Sequence, residues 1–363
     1  MRRIGILTSG GDCPGLNAVI RAVVKTACGV YEAEVIGIHD GFDGLLPEGV
    51  TQPLTADDVR GLLIQGGTIL GTSSRGPFDL GPDGNPLPEA LPSFELAVEK
   101  VRRLGIDALV VVGGDGSLRI ARAFYRMGVN LVGVPKTIDN DLAATERTFG
   151  FDTAVAVAAE ALDRLHTTAA AHHRIMVCEV MGREAGWIAL HSGLASGADA
   201  ILIPEIPFRW EPLFKMVAQR RARSRTYSLV VVAEGAYPAG GQPVFKAAGR
   251  LGGIGQVVGD ELGRRTGVET RVTVLGHVQR GGTPTAFDRV LASRFGEAAT
   301  DLAANGEFGR MVALRADQVI DVPLDEAVSR PKLVPVDGQL VHLARSTGVV
   351  FGDEAVPSFP PEC

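Results

Sequence analysis

From the third residue onward, short apolar runs rich in β-branched side chains alternate with stretches of helical periodicity, and nothing else in the 363-residue chain constrains its fold as strongly. The runs are RIGILT (3 to 8), EVIGIH (34 to 39), ALVVV (108 to 112) and NLVGV (130 to 134). They resume as RIMVCEV (174 to 180), AILI (200 to 203), SLVVVA (228 to 233) and ETRVTVL (269 to 275), after an Ala-rich helix near Phe151 to His166. A strand that is apolar throughout is covered on both faces, and strands joined through helices run parallel. The chain therefore reads as α/β, with two three-layer αβα domains on mainly parallel sheets. Its length, greater than one ordinary core supports, gives the same count. Ser93 is read as the cap of a helix stopping at Gly105, and Ser117 as the opening of one stopping at Gly128. GPFDLGPDGNPLPEALP (76 to 92) reads as a surface excursion, and the tail VPSFPPEC as frayed.

Composition excludes several classes. No apolar run reaches the ~18 residues of a membrane span, and MRRIGILTSGG at the start reads as a buried strand, not a signal peptide. A net charge of −6 gives no general attraction for nucleic acid, so an anionic ligand must be met by local basic clusters. Cys13, Cys28, Cys178 and Cys363 lack metal-ligand spacing and fit a reducing compartment, so a cytoplasmic location is expected.

Two Gly-rich segments follow strands directly: GGDCPGLN (10 to 17) and GGDGS (113 to 117). Glycines let backbone N–H groups approach phosphate oxygens, a following helix adds its positive end, and Asp115 can hold Mg²⁺. Each is equally a tight turn when taken alone. Neither matches a P-loop or a G-x-G-x-x-G dinucleotide turn, which disfavours a nicotinamide dehydrogenase. PKTIDND (135 to 141) also follows a strand. In an extended segment Asp139 and Asp141 share a face, one as base and the other orienting a hydroxyl; the alternative is an Asx-turn around Asn140. EVMGREAGW (179 to 187) and VTVLGHVQRGG (272 to 282) bring Arg183, His277 and Arg280 to strand ends, where Arg suits phosphate.

GGDCPGLN, GGDGS, PKTIDND, EVMGRE and VLGHVQRGG stand in an order that resembles phosphofructokinases of the bacterial ATP type and their pyrophosphate-dependent relatives, over residues 1 to 330. The resemblance implies transfer of a phosphoryl group to the 1-hydroxyl of fructose 6-phosphate, in a homotetramer whose sugar sites are shared between subunits. It implies Asp139 as base with Thr137 and Asp141 beside it, Asp115 as the Mg²⁺ carboxylate, and Arg183 at the transferring group. Gly11, Arg75, Gly116, Ser117 and Lys136 would line the donor. Met181, Gly182, Glu234, His277 and Arg280 would hold the sugar phosphate, with Arg174 and Arg271 reaching in from a neighbour. It also divides the chain into 1–150 plus 279–329 for the donor and 151–278 plus 330–363 for the sugar. In this family a small residue at Gly116 leaves room for a nucleotide, while Lys136 is a pyrophosphate-type feature. Steric exclusion being close to all-or-none, ATP is the reading, with pyrophosphate as the alternative. Both Asp139 and Asp115 are present, which a non-catalytic sensor would be expected to lose. Arg21, Lys25, Arg223 and Arg225 match an effector pocket, but Ala56 and His166 stand where cations are expected, so phosphoenolpyruvate inhibition should be weak or altered.

Overall fold

The computed structural model describes residues 1–74, 76–247 and 249–353; Arg75 and the VPSFPPEC tail lie outside the described residues. The chain divides into two compact units, one of Met1–Thr153 with Arg280–Pro331, the other of Ala154–Gln279 with the stretch from Lys332 onward. In chain order the elements begin with β1 (Arg3–Thr8), α1 (Leu16–Val30), β2 (Glu34–Ile38), β3 (Thr51–Leu54), α2 (Leu91–Arg103), β4 (Ala108–Gly113), α3 (Asp115–Arg126) and β5 (Leu131–Pro135). They continue with α4 (Phe151–His172), β6 (Ile175–Val180), α5 (Trp187–Ala195), β7 (Ala200–Leu202), α6 (Trp210–Ala222), β8 (Ser228–Ala233), β9 (Phe245–Ala247), β10 (Arg250–Leu251), α7 (Ile254–Thr266) and β11 (Thr270–Val274). Last come α8 (Ala286–Asn305), β12 (Arg310–Arg315), β13 (Gln318–Pro323), α9 (Leu324–Ala327) and α10 (Gln339–Ser346).

The first unit holds a seven-stranded sheet in the order β13-β12-β5-β4-β1-β2-β3. The inner pairings are parallel, while β3 and β13 pair antiparallel at the two edges. The second unit holds the all-parallel sheet β11-β6-β8-β7. Burial follows the apolar runs: every residue of β4, β5, β6, β7 and β8 is buried, as strands covered on both faces require.

Three local expectations are corrected. Helix α2 starts at Leu91, ahead of Ser93, because Pro92 in its first turn has a preset φ and no N–H to satisfy. Helix α3 starts at Asp115, so Ser117 lies inside its first turn and is not the residue that opens it. Nor is the segment from 76 to 92 all surface: Phe78 is buried with Phe42, Phe94 and Phe124, their ring centroids 4.8 to 5.9 Å apart. The hydrophobic gain of sinking one aromatic ring anchors an otherwise Pro- and Gly-rich loop.

Candidate active site

Because β5, β4 and β1 are neighbours and parallel, the loops at their carboxyl ends emerge side by side, the usual ligand position of an open α/β sheet. They are cross-braced. Ser9 Oγ accepts from Ser117 Oγ at 3.1 Å, and the Lys136 amide donates to Gly113 O at 3.0 Å. The Lys136 ammonium, 3% exposed, donates to the carbonyl of Gly11. Arg280 Nη1 donates to Asp12 O at 2.9 Å and passes close over Gly11, where a Cβ would lie 2.7 Å from it and the guanidinium would have to shift. Thr72 Oγ1 donates to Gly10 O at 2.6 Å and the Gly10 amide to Ser73 O at 2.9 Å, bringing the GTSS loop alongside. Motif reading missed Ser9, Thr72 and Ser73; the only signal for Ser9 was its place immediately after β1.

Asp139, on the loop that follows β5, is buried, 3% exposed. Thr137 Oγ1 accepts from the Asp139 amide at 3.1 Å and donates to Asp139 Oδ2 at 3.2 Å, fixing the carboxylate's orientation. The extended reading of this segment is wrong. Asn140 has φ 52, and its side chain takes the Thr148 amide at 3.1 Å, so Asp139 and the half-buried Asp141 flank a left-handed turn. Asp115, at the first turn of α3, pairs with Arg119 at 2.7 Å. Gly116 is exposed, and a Cβ there would meet no atom within 4 Å.

Among the described residues no group of three or more His, Cys, Asp and Glu could hold a metal. Mg²⁺ needs none: it is ordinarily held by one or two carboxylates together with substrate phosphates and water. A half-exposed Asp115 beside glycine loops fits that mode. Burial pushes the Cys13 and Cys178 thiols up to about 12, which keeps these two protonated.

In the second unit the loops after β6, β8 and β11 meet in the same way. Glu234 accepts from the amides of Gly182 at 3.3 Å and Arg183 at 3.1 Å, which needs φ 145 at Gly182 and leaves Arg183 at φ 54. Such strain in a solvent-facing arginine is sustained only by its surroundings. The Leu275 amide donates to Glu179 O at 3.0 Å and carries the half-buried Met181 loop beside exposed His277. Arg174 and Arg271 stand apart from this group. Both pair with Glu269 at the opening of β6 and β11, the far end of strands about 20 Å long.

Hydroxyls, bare backbone and cations at parallel strand ends, with a buried carboxylate on the next loop, are the parts that a phosphotransferase uses. Residues 3–303 match the family described as Phosphofructokinase, and the chain belongs to that family. It is 56% identical over 354 residues to a Chloroflexus aggregans protein named ATP-dependent 6-phosphofructokinase, covering 97% of this chain and 98% of that one. An Amycolatopsis methanolica protein named pyrophosphate–fructose 6-phosphate 1-phosphotransferase is 51% identical over 344 residues, 92% of this chain and 96% of that one. Among solved structures, phosphofructokinase from Saccharomyces cerevisiae is similar with TM-score 0.81 and 34% identity, over 91% of this chain and 45% of that longer one.

Proposed function

We propose that this chain transfers the γ-phosphoryl group of ATP to the 1-hydroxyl of fructose 6-phosphate, giving fructose 1,6-bisphosphate. The observation that carries the reading is the Thr137-oriented, buried Asp139 on a segment braced beside two cross-linked glycine loops. Asp139 takes the hydroxyl proton, and Thr137 holds its carboxylate in line. Gly11, Ser117 and Lys136 face the donor, Arg75 being assigned there by the resemblance alone. Asp115 would hold Mg²⁺, which would offset the charge of the donor phosphates. Arg183 stabilises the charge on the moving group, with Asp141 beside the base. Met181, Gly182, Glu234, His277 and Arg280 hold the sugar phosphate, and Arg174 and Arg271 come from a neighbouring copy within a homotetramer. The compartment is the cytoplasm; no helix among the described residues is long and apolar enough to cross a membrane.

The pyrophosphate-dependent form of the reaction is the second reading, favoured by Lys136 beside the loops. Its ammonium is committed to the Gly11 carbonyl, whereas the space at Gly116 is open, and both favour ATP. The test is fructose 1,6-bisphosphate formation by purified protein with Mg²⁺ and either donor alone. Turnover with ATP only is expected; turnover with pyrophosphate reverses the donor, and none with either removes the reaction. For the effector cations, His166 Nε2 already meets Ser196 O at 2.6 Å. Weak inhibition by phosphoenolpyruvate is therefore expected, and strong inhibition in the same assay would count against it.

A further inference from the structure

Arg119 follows Gly116 by three residues and Asp115 by four, and a helical side chain leans toward the N-terminus over those two positions. It can therefore cover either one by a change of rotamer. In this structure Nε lies 2.7 Å from Asp115 Oδ2, with the side chains 37% and 35% exposed, and the space over Gly116 is left empty of protein. The other cations at the loops, Lys136 and Arg280, are tied to the backbone carbonyls of Gly11 and Asp12. Arg119 is held instead by the carboxylate that the metal needs. An exposed ion pair of this spacing is weak, so a divalent cation held at Asp115 would displace it.

We propose that Arg119 recognises the nucleoside triphosphate: when Mg²⁺ takes Asp115, the guanidinium crosses to the space over Gly116 and grips the donor's α-phosphate. Guanidinium geometry suits a paired contact with two phosphate oxygens. Pyrophosphate has no third phosphate to put there, so Arg119 selects the donor by attraction, where Gly116 selects only by leaving room. The inference rests on the donor site described above, with Asp115 as the metal carboxylate.

The test is calorimetric binding of β,γ-imido-ATP and, separately, imidodiphosphate to the full chain with Mg²⁺, comparing wild type with Arg119→Gln and Arg119→Lys. Arg119→Gln is expected to weaken β,γ-imido-ATP by about tenfold, the worth of one charge-assisted contact, and imidodiphosphate by less than about twofold. Equal losses for both probes, or no loss for β,γ-imido-ATP, overturns the proposal. Should the glutamine variant not fold, Arg119→Lys carries the test, since it keeps the charge and loses the paired geometry; an unchanged affinity for β,γ-imido-ATP sinks it. Mn²⁺ binding followed by electron paramagnetic resonance in the presence of imidodiphosphate should be at least as tight in Arg119→Gln, the competing cation being gone, and weaker Mn²⁺ binding refutes the exchange. Wild type that turns over neither donor would instead sink the site reading. ATP turnover by wild type with unaltered probe selectivity in Arg119→Gln would sink this inference alone.

Discussion

A carboxylate that is 3% exposed and held by Thr137 is oriented before any substrate arrives, and if Asp139 is the base, as proposed, its removal takes away the proton acceptor. Asp139→Ser should lower kcat by about 10²- to 10⁴-fold while the sugar KM moves little; steady-state rates with ATP check this, and near-normal turnover excludes Asp139 as base. At Gly116 the direction is set by space. A Cβ there meets no atom within 4 Å, and an Asp would put a negative group where the donor is proposed to lie. Gly116→Asp should therefore cut kcat/KM for ATP at least about a hundredfold, close to 3 kcal/mol of transition-state binding. A variant retaining ATP turnover would show that the nucleotide does not use that space. Residue types in the loops were legible because each loop directly follows an apolar strand. Their partnerships were not, since Lys136 meets Gly11 and Arg280 meets Asp12 only after the sheet has formed. The misjudged face of Asp139 and Asp141 had a local warning in Asn140, a residue that tolerates the left-handed region.

At the scale of elements, the strands announced themselves by composition and the helix starts did not. The first turn of α4 is capped from 135 residues away: Asp288 Oδ2 accepts from the Thr153 amide at 2.8 Å and from its hydroxyl at 2.6 Å. Thr285, whose hydroxyl caps α8 at the Asp288 amide, donates to Asp152 Oδ2 at 2.7 Å, and its amide donates to Thr153 Oγ1 at 3.1 Å, so the two helix starts are tied together. No window along the sequence contains that pairing. Its cost is electrostatic: burial pushes the Asp288 carboxyl up from 3.8 to about 6 against the pull of Thr153. Between those two values the folded chain binds the proton and the unfolded chain does not, so this group's contribution makes stability fall as pH rises from about 4 to about 6 and stay level above. The loss above that window is about 3 kcal/mol. Asp288→Asn keeps an acceptor for Thr153 and has no proton to lose. Denaturant unfolding at a series of pH values should show the variant gaining on the wild type from pH 4 to 6; parallel curves would mean that Asp288 titrates normally.

At the scale of the whole molecule, the arginines 174 and 271 are the informative pair. They sit on Glu269 at the opening of β6 and β11, while Met181, Arg183 and Glu234 lie at or beyond the closing ends of β6 and β8, about 20 Å away along the strands. Within one chain they therefore add nothing to that group; local sequence pattern does not separate them, because both arginines flank apolar runs as the site residues do, and only the family resemblance set them apart. If a neighbouring copy supplies them, each site combines Asp139 of one subunit with Arg271 of another. Asp139→Ser and Arg271→Ala should each be inactive as pure oligomers. Unfolded together and refolded as a mixture, they should regain activity, because a site built from the Asp139 of one variant and the Arg271 of the other is intact. Random pairing across a two-fold interface leaves about a quarter of the sites so composed. Recovery near that fraction, read from ATP-dependent fructose 1,6-bisphosphate formation, is the expected outcome. A mixture as inactive as its parts would place Arg271 in its own subunit's site, and the geometry at Glu269 would then have to change on substrate binding; an Arg271→Ala oligomer active by itself would remove Arg271 from the reaction.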